Sequence, residues 1–396
     1  MRVLLVGGGG RECALARAMA KFGHSLAFTH DNPGFRGLGE VHRGDEVEVA
    51  RKVGADLVVV GPEGPLAAGL IDRLRVAGIP GFGPSAAAAR LESSKVFTKA
   101  LAVRCGLPTA DSRVVRRGDG FVVDRPWVVK LDGLAAGKGV WVCSTVEETA
   151  AALAEAFVLR PEADVLLEEI LVGPELSVLG IADGERVVPL PPARDHKRRF
   201  DGDRGPNTGG MGAIAPVAVS AAVLEVCHDV LRRAVAGMAE EGIPFRGVLY
   251  GGFMLTQSGP KLLEFNARFG DPECQVLMAL LDEDPVPWFL GSALGRLPGP
   301  SIRFRDAHAC CIVVSAGGYP ERPANAPITR LPGESATLLL DHAGTTLRDD
   351  ALWATGGRVL GITGVGDSAA VARERAYAAV GEVAFDEASW RSDIGA

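Results

Sequence analysis

The chain has 396 residues, of which 47% are hydrophobic and 23% charged. This is globular composition with enough apolar material for about two to four domains. Its 42 Lys and Arg against 49 Asp and Glu leave a net charge of −7, which excludes a broadly basic nucleic-acid or anionic-membrane surface and confines any anion site to a local patch. No apolar run reaches the ~18 residues that would span a bilayer, and Cys13, Cys105, Cys143, Cys227, Cys274, Cys310 and Cys311 form neither a C-x-x-C pair nor a zinc spacing. A cytoplasmic enzyme with reduced thiols is expected, without nucleic-acid or membrane partners.

The first element is a short buried-type strand, Arg2 to Val6, running into Gly7-Gly8-Gly9-Gly10-Arg11-Glu12 and a helical segment from Cys13. A strand, a glycine turn and a helix N-terminus together make an anion site, because unpaired backbone N–H groups and the helix dipole point at the turn. The dinucleotide fingerprint G-x-G-x-x-G fails here: Glu12 and Cys13 stand where the third glycine would fall in either register. A nicotinamide-dependent dehydrogenase is thereby disfavoured. Further strand-then-turn units follow, ending in Asp31-Asn32-Pro33-Gly34, Gly61-Pro62-Glu63 and Gly83-Pro84, with a helix expected over Leu66 to Val76. Their alternation with helices predicts a parallel α/β sheet. Ligands collect at the carboxyl ends of such strands, so Asn32 and Glu63 are candidate contacts, although turn chemistry alone also accounts for them.

Ser93-Ser94-Lys95 opens a helix to about Val103, with serine caps. Lys95 reads either as a phosphate contact or as a solvated helix lysine. Trp127 to Val142 reads as strand, small-residue loop, strand, with Lys130 on the first strand and Lys138 in Gly137-Lys138-Gly139. It is not a Walker A loop, since Asp132 replaces the first glycine and Gly139 the Ser or Thr. Such a loop can still fold down over a triphosphate, supplying N–H groups and one charge. Beyond it lie a helix from Val146, a strand into Glu168, the run Glu169 to Glu175, the charged cluster Arg194-Asp195-His196-Lys197-Arg198, and a glycine-rich segment, Gly205 to Gly212.

Val219 to Glu241 reads as a long amphipathic helix, and Val248 to Leu255 with Pro260 to Asn266 as a hairpin. Strand alternation puts Glu264, Asn266 and Arg268 on one face and Leu263, Phe265 and Ala267 on the other. A carboxylate and an amide oxygen two residues apart suit Mg²⁺, and the guanidinium could hold a carboxylate or a developing phosphoryl charge. An ordinary amphipathic strand would show the same alternation. Pro298-Gly299-Pro300 marks a boundary, after which three strands and a final helix from about Ser368 are expected.

Glu168-x-x-Leu171-x-x-x-Glu175, the two upstream lysines, the Gly-Lys-Gly loop and Glu264-x-Asn266 resemble, in order, the ATP-grasp superfamily. Within it, Gly7 to Glu12, Gly61-Pro62-Glu63, Asp132 to Val140, Asp195-His196-Lys197-Arg198, Gly205 to Gly212 and Glu264 to Glu273 are similar to the phosphoribosylamine–glycine ligase family over nearly the whole chain. Two positions depart from the family pattern, Cys13 for a histidine and Arg194 for a glutamine, both beside the expected amine-substrate site.

The resemblance implies an α/β multidomain fold. Its parts are an N-terminal parallel α/β domain (1–95), an ATP-grasp domain (96–298, lid subdomain about 112–178) and a small β-rich C-terminal domain (299–396). It implies ATP and Mg²⁺, with Mn²⁺ as the alternative, and small-molecule partners: glycine, 5-phosphoribosylamine and ATP. A monomer is expected. Glu264 and Asn266 would bind the metal, with Lys95, Lys130, Lys138, Glu168, Glu169, Leu171 and Glu175 around the nucleotide. Gly8, Gly9, Gly10, Arg11, Glu12, Asn32, Glu63, Asp195, Lys197, Gly209, Gly210, Met211, Arg268 and Arg358 would bind the other substrates, Arg268 and Lys138 also acting in catalysis. Another ATP-grasp carboxylate–amine ligase of nucleotide metabolism is the alternative, and retention of both metal ligands argues against a non-catalytic nucleotide binder.

Overall fold

The computed structural model describes residues 1–134 and 139–396. The N-terminal unit is a five-stranded parallel sheet in which Arg2–Val6 lies between Ser25–Phe28 and Leu57–Val60, with Gly39–Val41 and Gly81–Phe82 at the edges. Successive strands are added to one side of the first strand and then to the other, so the glycine turn at 7–10 and the Gly61-Pro62-Glu63 turn meet at the switch point where such sheets open a crevice. The helix expected over 66–76 is two helices, Glu63–Ala67 and Leu70–Val76, because Gly69 adopts a left-handed backbone (φ +83°).

Two four-stranded antiparallel sheets follow. One contains Ser112–Val115, Val165–Glu168, Val128–Leu131 and Val140–Val142, covered by the helix Val146–Leu159. The other contains Val187–Pro189, Glu175–Asp183, Arg246–Thr256 and Gly259–Asn266, covered by Ala221–Glu240.

The Gly259–Asn266 strand does not alternate as the sequence suggests. Gly252 pairs Glu264 but Phe253 pairs Leu262, so Leu263 is the extra residue of a bulge. Leu262 is the core residue (1% exposed) and Leu263 turns toward the cleft. Phe265 and Ala267 keep their expected packing. The bulge also aims the Leu263 carbonyl at Lys130 Nζ, 3.1 Å away.

The third unit is not contiguous in sequence. Its five-stranded antiparallel sheet runs Arg194–Asp195, Gly212–Ala215, His308–Ser315, Arg358–Gly366, Leu338–His342. Two of its strands thus come from upstream of the Pro298-Gly299-Pro300 junction, and they carry Asp195 to the edge of the cleft. The helix Ala369–Val380 packs on this sheet through Ala372, Ala376, Ala379 and Val380.

Candidate active site

A cleft of about 860 Å³ lies between the two antiparallel sheets and is closed at one end by the N-terminal switch point and the C-terminal sheet. The 95–104 helix delivers the first cations. Ser94 caps it, accepting from Phe97 N–H (3.1 Å) and donating to Asp132 Oδ2 (3.1 Å), and Lys95 donates to Gly133 O at 2.9 Å. Burial lowers the Lys95 pKa against the pull of Glu264 and Asp132.

One turn on, Lys99 ion-pairs with Glu168 and donates to Thr109 Oγ1 (2.7 Å) and Ala110 O (3.0 Å). Lys130 meets the other Glu168 oxygen at 2.5 Å. Glu168, 3% exposed, is thereby clamped between two lysines. Glu169 turns outward to Lys261 (2.7 Å), and neither it nor half-buried Leu171 lines the cleft.

At the centre, Glu264 and Asn266 face the cleft from one strand. Burial works to raise the Glu264 carboxyl, but Lys197, Lys130, Lys95 and Arg268 outweigh it and hold the pKa at about 2. Lys197 bridges Glu264 Oε1 (3.6 Å) and Glu175 Oε2 (3.1 Å). A permanently ionised carboxylate beside an amide oxygen fits a hard cation. Among the described residues, however, no group of three or more His, Cys, Asp or Glu is placed to hold a metal. The donor set therefore fits a divalent ion that arrives with nucleotide phosphates as its remaining ligands.

Arg268 lies just beyond the strand, fixed by Glu92 Oε1 (2.8 Å) and Glu63 Oε2 (3.4 Å). Glu92 also accepts from Ala267 N–H at 2.8 Å. Burial acts to raise the Glu63 carboxyl, yet Arg268 keeps it below its usual range. For Glu92 burial wins and the pKa rises despite Arg268.

The far end joins all three units. Gly7 takes φ +112°, where a Cβ would lie 2.8 Å from Pro62. Gly9 N–H donates to Glu12 Oε2 (2.7 Å), Glu12 Oε1 accepts from Arg11 Nε (2.7 Å), and Arg11 donates to Phe269 O (3.1 Å). One donor expected for an anion is thus already satisfied by the chain's own carboxylate. Arg358 reaches the cleft from the C-terminal sheet but binds Gly209 O (2.6 Å), Asp271 O (2.5 Å) and Asp271 Oδ2 (3.2 Å). Buried Glu273 accepts from Tyr250 Oη (2.7 Å) and Ser177 Oγ (3.0 Å).

Of the residues singled out in the sequence, Gly8, Gly9, Arg11, Glu12 and Glu63 line the cleft from the N-terminal unit, Lys95, Lys130, Glu168, Glu175, Glu264, Asn266 and Arg268 from the middle, and Asp195, Lys197, Gly209 and Arg358 from the far end. Others lie elsewhere. Asn32 is a buried bracket whose amide donates to Gly8 O and His342 O (2.8 Å each) while its oxygen accepts from Gly34 N–H. Gly10 packs against Gln275, Met211 is fully buried, and Gly210 lies under Pro272 and Asp195. Lys138 lies outside the described residues.

Cys13 does not line the cleft: it is buried against Gly34, its thiol raised by burial and then by Asp341. Arg194 is likewise turned away from the cleft wall and donates to Glu175 O at 3.2 Å. Sequence reasoning missed Lys99, Glu92, Asp271, Glu273 and Tyr250 as cleft residues. Lys99 had a signal, being four residues from Lys95 on one helix face; Glu92 had none.

Two antiparallel sheets gripping a lysine-lined cleft with a Glu-x-Asn strand define the ATP-grasp class, and the comparisons agree. Residues 93–274 match the family model described as phosphoribosylglycinamide synthetase, ATP-grasp (A) domain, residues 1–92 its N domain and residues 309–396 its C domain. Proteins named phosphoribosylamine–glycine ligase from Rhizobium meliloti and Phenylobacterium zucineum are 44% and 45% identical, the alignments covering 100% of this chain and 98% and 99% of theirs. The crystal structure of phosphoribosylamine–glycine ligase from Thermotoga maritima superposes with a TM-score of 0.89 at 34% identity, covering 100% of both chains. A biotin carboxylase from Campylobacter jejuni shares the fold alone, with a TM-score of 0.74 at 14% identity over 98% of this chain and 92% of that one. The chain belongs to the phosphoribosylamine–glycine ligase family.

Proposed function

We propose that this enzyme joins glycine to 5-phosphoribosylamine at the expense of ATP, giving glycinamide ribonucleotide, ADP and phosphate in purine biosynthesis. The observation that carries this is full-length identity of 44% to a curated ligase, with the motifs behind it converging on one cleft. Glycine carboxylate is a poor acylating agent, so its oxygen first takes the γ-phosphoryl group, the bond to ADP breaking, and the ribosylamine nitrogen then displaces phosphate from the acyl carbon. The protein's task is to position reactants and neutralise charge.

Glu264 and Asn266 hold the divalent ion, Mg²⁺ in this reading. When bound, that ion neutralises phosphate charge. Lys95 and Lys130 stand close enough to Glu264 to share the same phosphates, with Lys138 as a further donor by family resemblance. Glu175 takes the ribose hydroxyls, and the backbone near Glu168 the adenine. Arg268, already oriented by Glu63 and Glu92, faces the glycine carboxylate or the transferring phosphoryl group. By family resemblance the segment 131–140, of which residues 135–138 lie outside the described residues, would cover the nucleotide and keep water from the acyl phosphate.

The cysteines are all free and no helix among the described residues is long and apolar enough to cross a membrane, which supports a cytoplasmic setting. ADP release is the test. With ATP, Mg²⁺ and glycine it should become fast only when freshly made phosphoribosylamine is added; a rate indifferent to that amine would sink the reading.

A further inference from the structure

The second half of the reaction needs a group to take a proton. An amine that attacks an acyl phosphate carries a surplus proton once the C–N bond has formed, and an adjacent base that removes it speeds the step. The cleft holds many carboxylates, but nearly all are engaged. Glu63 and Glu92 hold Arg268, Glu168 is clamped by Lys99 and Lys130, Asp271 holds Arg358, and Glu273 accepts from Tyr250 and Ser177.

Asp195 differs. Among the described residues it is a cleft-lining carboxylate with no hydrogen bond or ion pair to its side chain, and its Oδ1 is a buried atom without a partner. Its backbone is fixed at the sheet edge by pairing with Ala213. Gly210 brings the 207–212 loop so close that a Cβ there would lie 2.7 Å from Asp195 Oδ1. A buried acceptor without a donor is unfavourable, and a donor supplied by substrate would relieve that cost.

We infer that Asp195 is the proton acceptor of amide formation. This rests on the ligase reading above. The amine lone pair forms the C–N bond to the glycyl carbon, the C–O bond to phosphate breaks with its electron pair leaving on phosphate, and the amine proton passes to Asp195 Oδ1 and then to solvent. Burial, and after it the Glu273 carboxylate, raise the proton affinity of Asp195, while Lys197 and Arg358 oppose them. That is the direction a base needs to hold a proton it has received.

The experiment splits the two half-reactions. Hydroxylamine traps glycyl phosphate as the hydroxamate and needs little help from a base, so the ratio of ribonucleotide amide to hydroxamate reports the second step. Asp195→Asn should lower that ratio about a hundredfold, within the range of general-base contributions. Asp195→Ala, whose smaller side chain leaves room for an added acid, should recover part of the ratio with formate. An unchanged ratio in a folded variant would overturn the assignment. So would a raised glycine KM with amide and hydroxamate falling together, because Asp195 would then be a holder of the glycine ammonium. The unsubstituted enzyme in the same assay separates the two proposals: no amide there would mean that the ligase reading itself is wrong.

Discussion

The two ends of the cleft are built on opposite electrostatic plans. At the end proposed for the nucleotide, Glu264 faces Lys95, Lys130, Lys197 and Arg268, which outweigh its burial and keep its pKa low. At the end proposed for the amine, Asp271 and Glu273 are satisfied by Arg358, Gln275, Tyr250 and Ser177, while Asp195 has no side-chain partner among the described residues. The first arrangement suits phosphoryl transfer, in which charge must be neutralised. The second suits a proton transfer, which an ion-paired carboxylate performs poorly. One fold holds both because the ends draw on different elements: the Lys95 helix and the Lys130 and Glu264 strands supply most of the first, with Lys197 reaching in from the 194–212 segment, and the glycine turn, that segment, the Tyr250 strand and the C-terminal sheet meet at the second.

The largest effect should come from breaking the nucleotide end at its centre. Glu264→Gln removes the carboxylate that the cations surround, and kcat should fall by at least about a hundredfold with the melting temperature little changed. Near-normal turnover at saturating Mg²⁺ would remove Glu264 from the metal site. Arg268→Ala should cost both activity and stability, since it leaves Glu92 buried without its guanidinium. Loss of one partner of a buried pair costs about 3–5 kcal/mol, which chemical denaturation would register. An active variant of unaltered stability would show that Glu63 and Glu92 do not depend on Arg268.

Arg358→Ala probes the amine end more gently. As a contact to the ribose 5′-phosphate it should raise the KM for phosphoribosylamine about tenfold, the loss expected from one charge-assisted bond, while the KM values for ATP and glycine stay put. Because Arg358 already holds Asp271 and Gly209, a uniform loss with lower stability would show that it acts by fixing that loop.

The smallest expected effect concerns pH. His196, in the same segment as Asp195, has its Nε2 buried without a partner, and burial, then Arg391, lowers its pKa to about 4. Its folded value lies below the unfolded one, about 6.5, so protonation favours the unfolded chain. This contribution to stability is complete above the unfolded value and falls away as pH drops toward about 4. His196→Gln should flatten the melting temperature over that interval; an identical pH slope in both proteins would exclude the histidine.

What the sequence made legible follows the same division. Local patterns foretold the parallel sheet, the lysine strand and the Glu264/Asn266 pair, because strand period and turn chemistry are short-range. The Leu263 bulge was not foretold, since it depends on how Gly252 and Phe253 pair across the hairpin. Asn32 looked like a ligand contact at a strand end, yet its amide closes the N-terminal unit onto His342, more than 300 residues away. Arg358 drew notice through family resemblance alone and Asp195 only as one member of a charged cluster, because their meeting place exists only after strands from 194–215 join the C-terminal sheet.

The central claim is that this cleft activates glycine as an acyl phosphate, and isotope transfer tests it most directly. With glycine carrying ¹⁸O in both carboxyl oxygens, turnover with ATP and phosphoribosylamine should place one ¹⁸O in each phosphate released, read by mass spectrometry. Phosphate free of label, formed in step with the amide, would contradict the account.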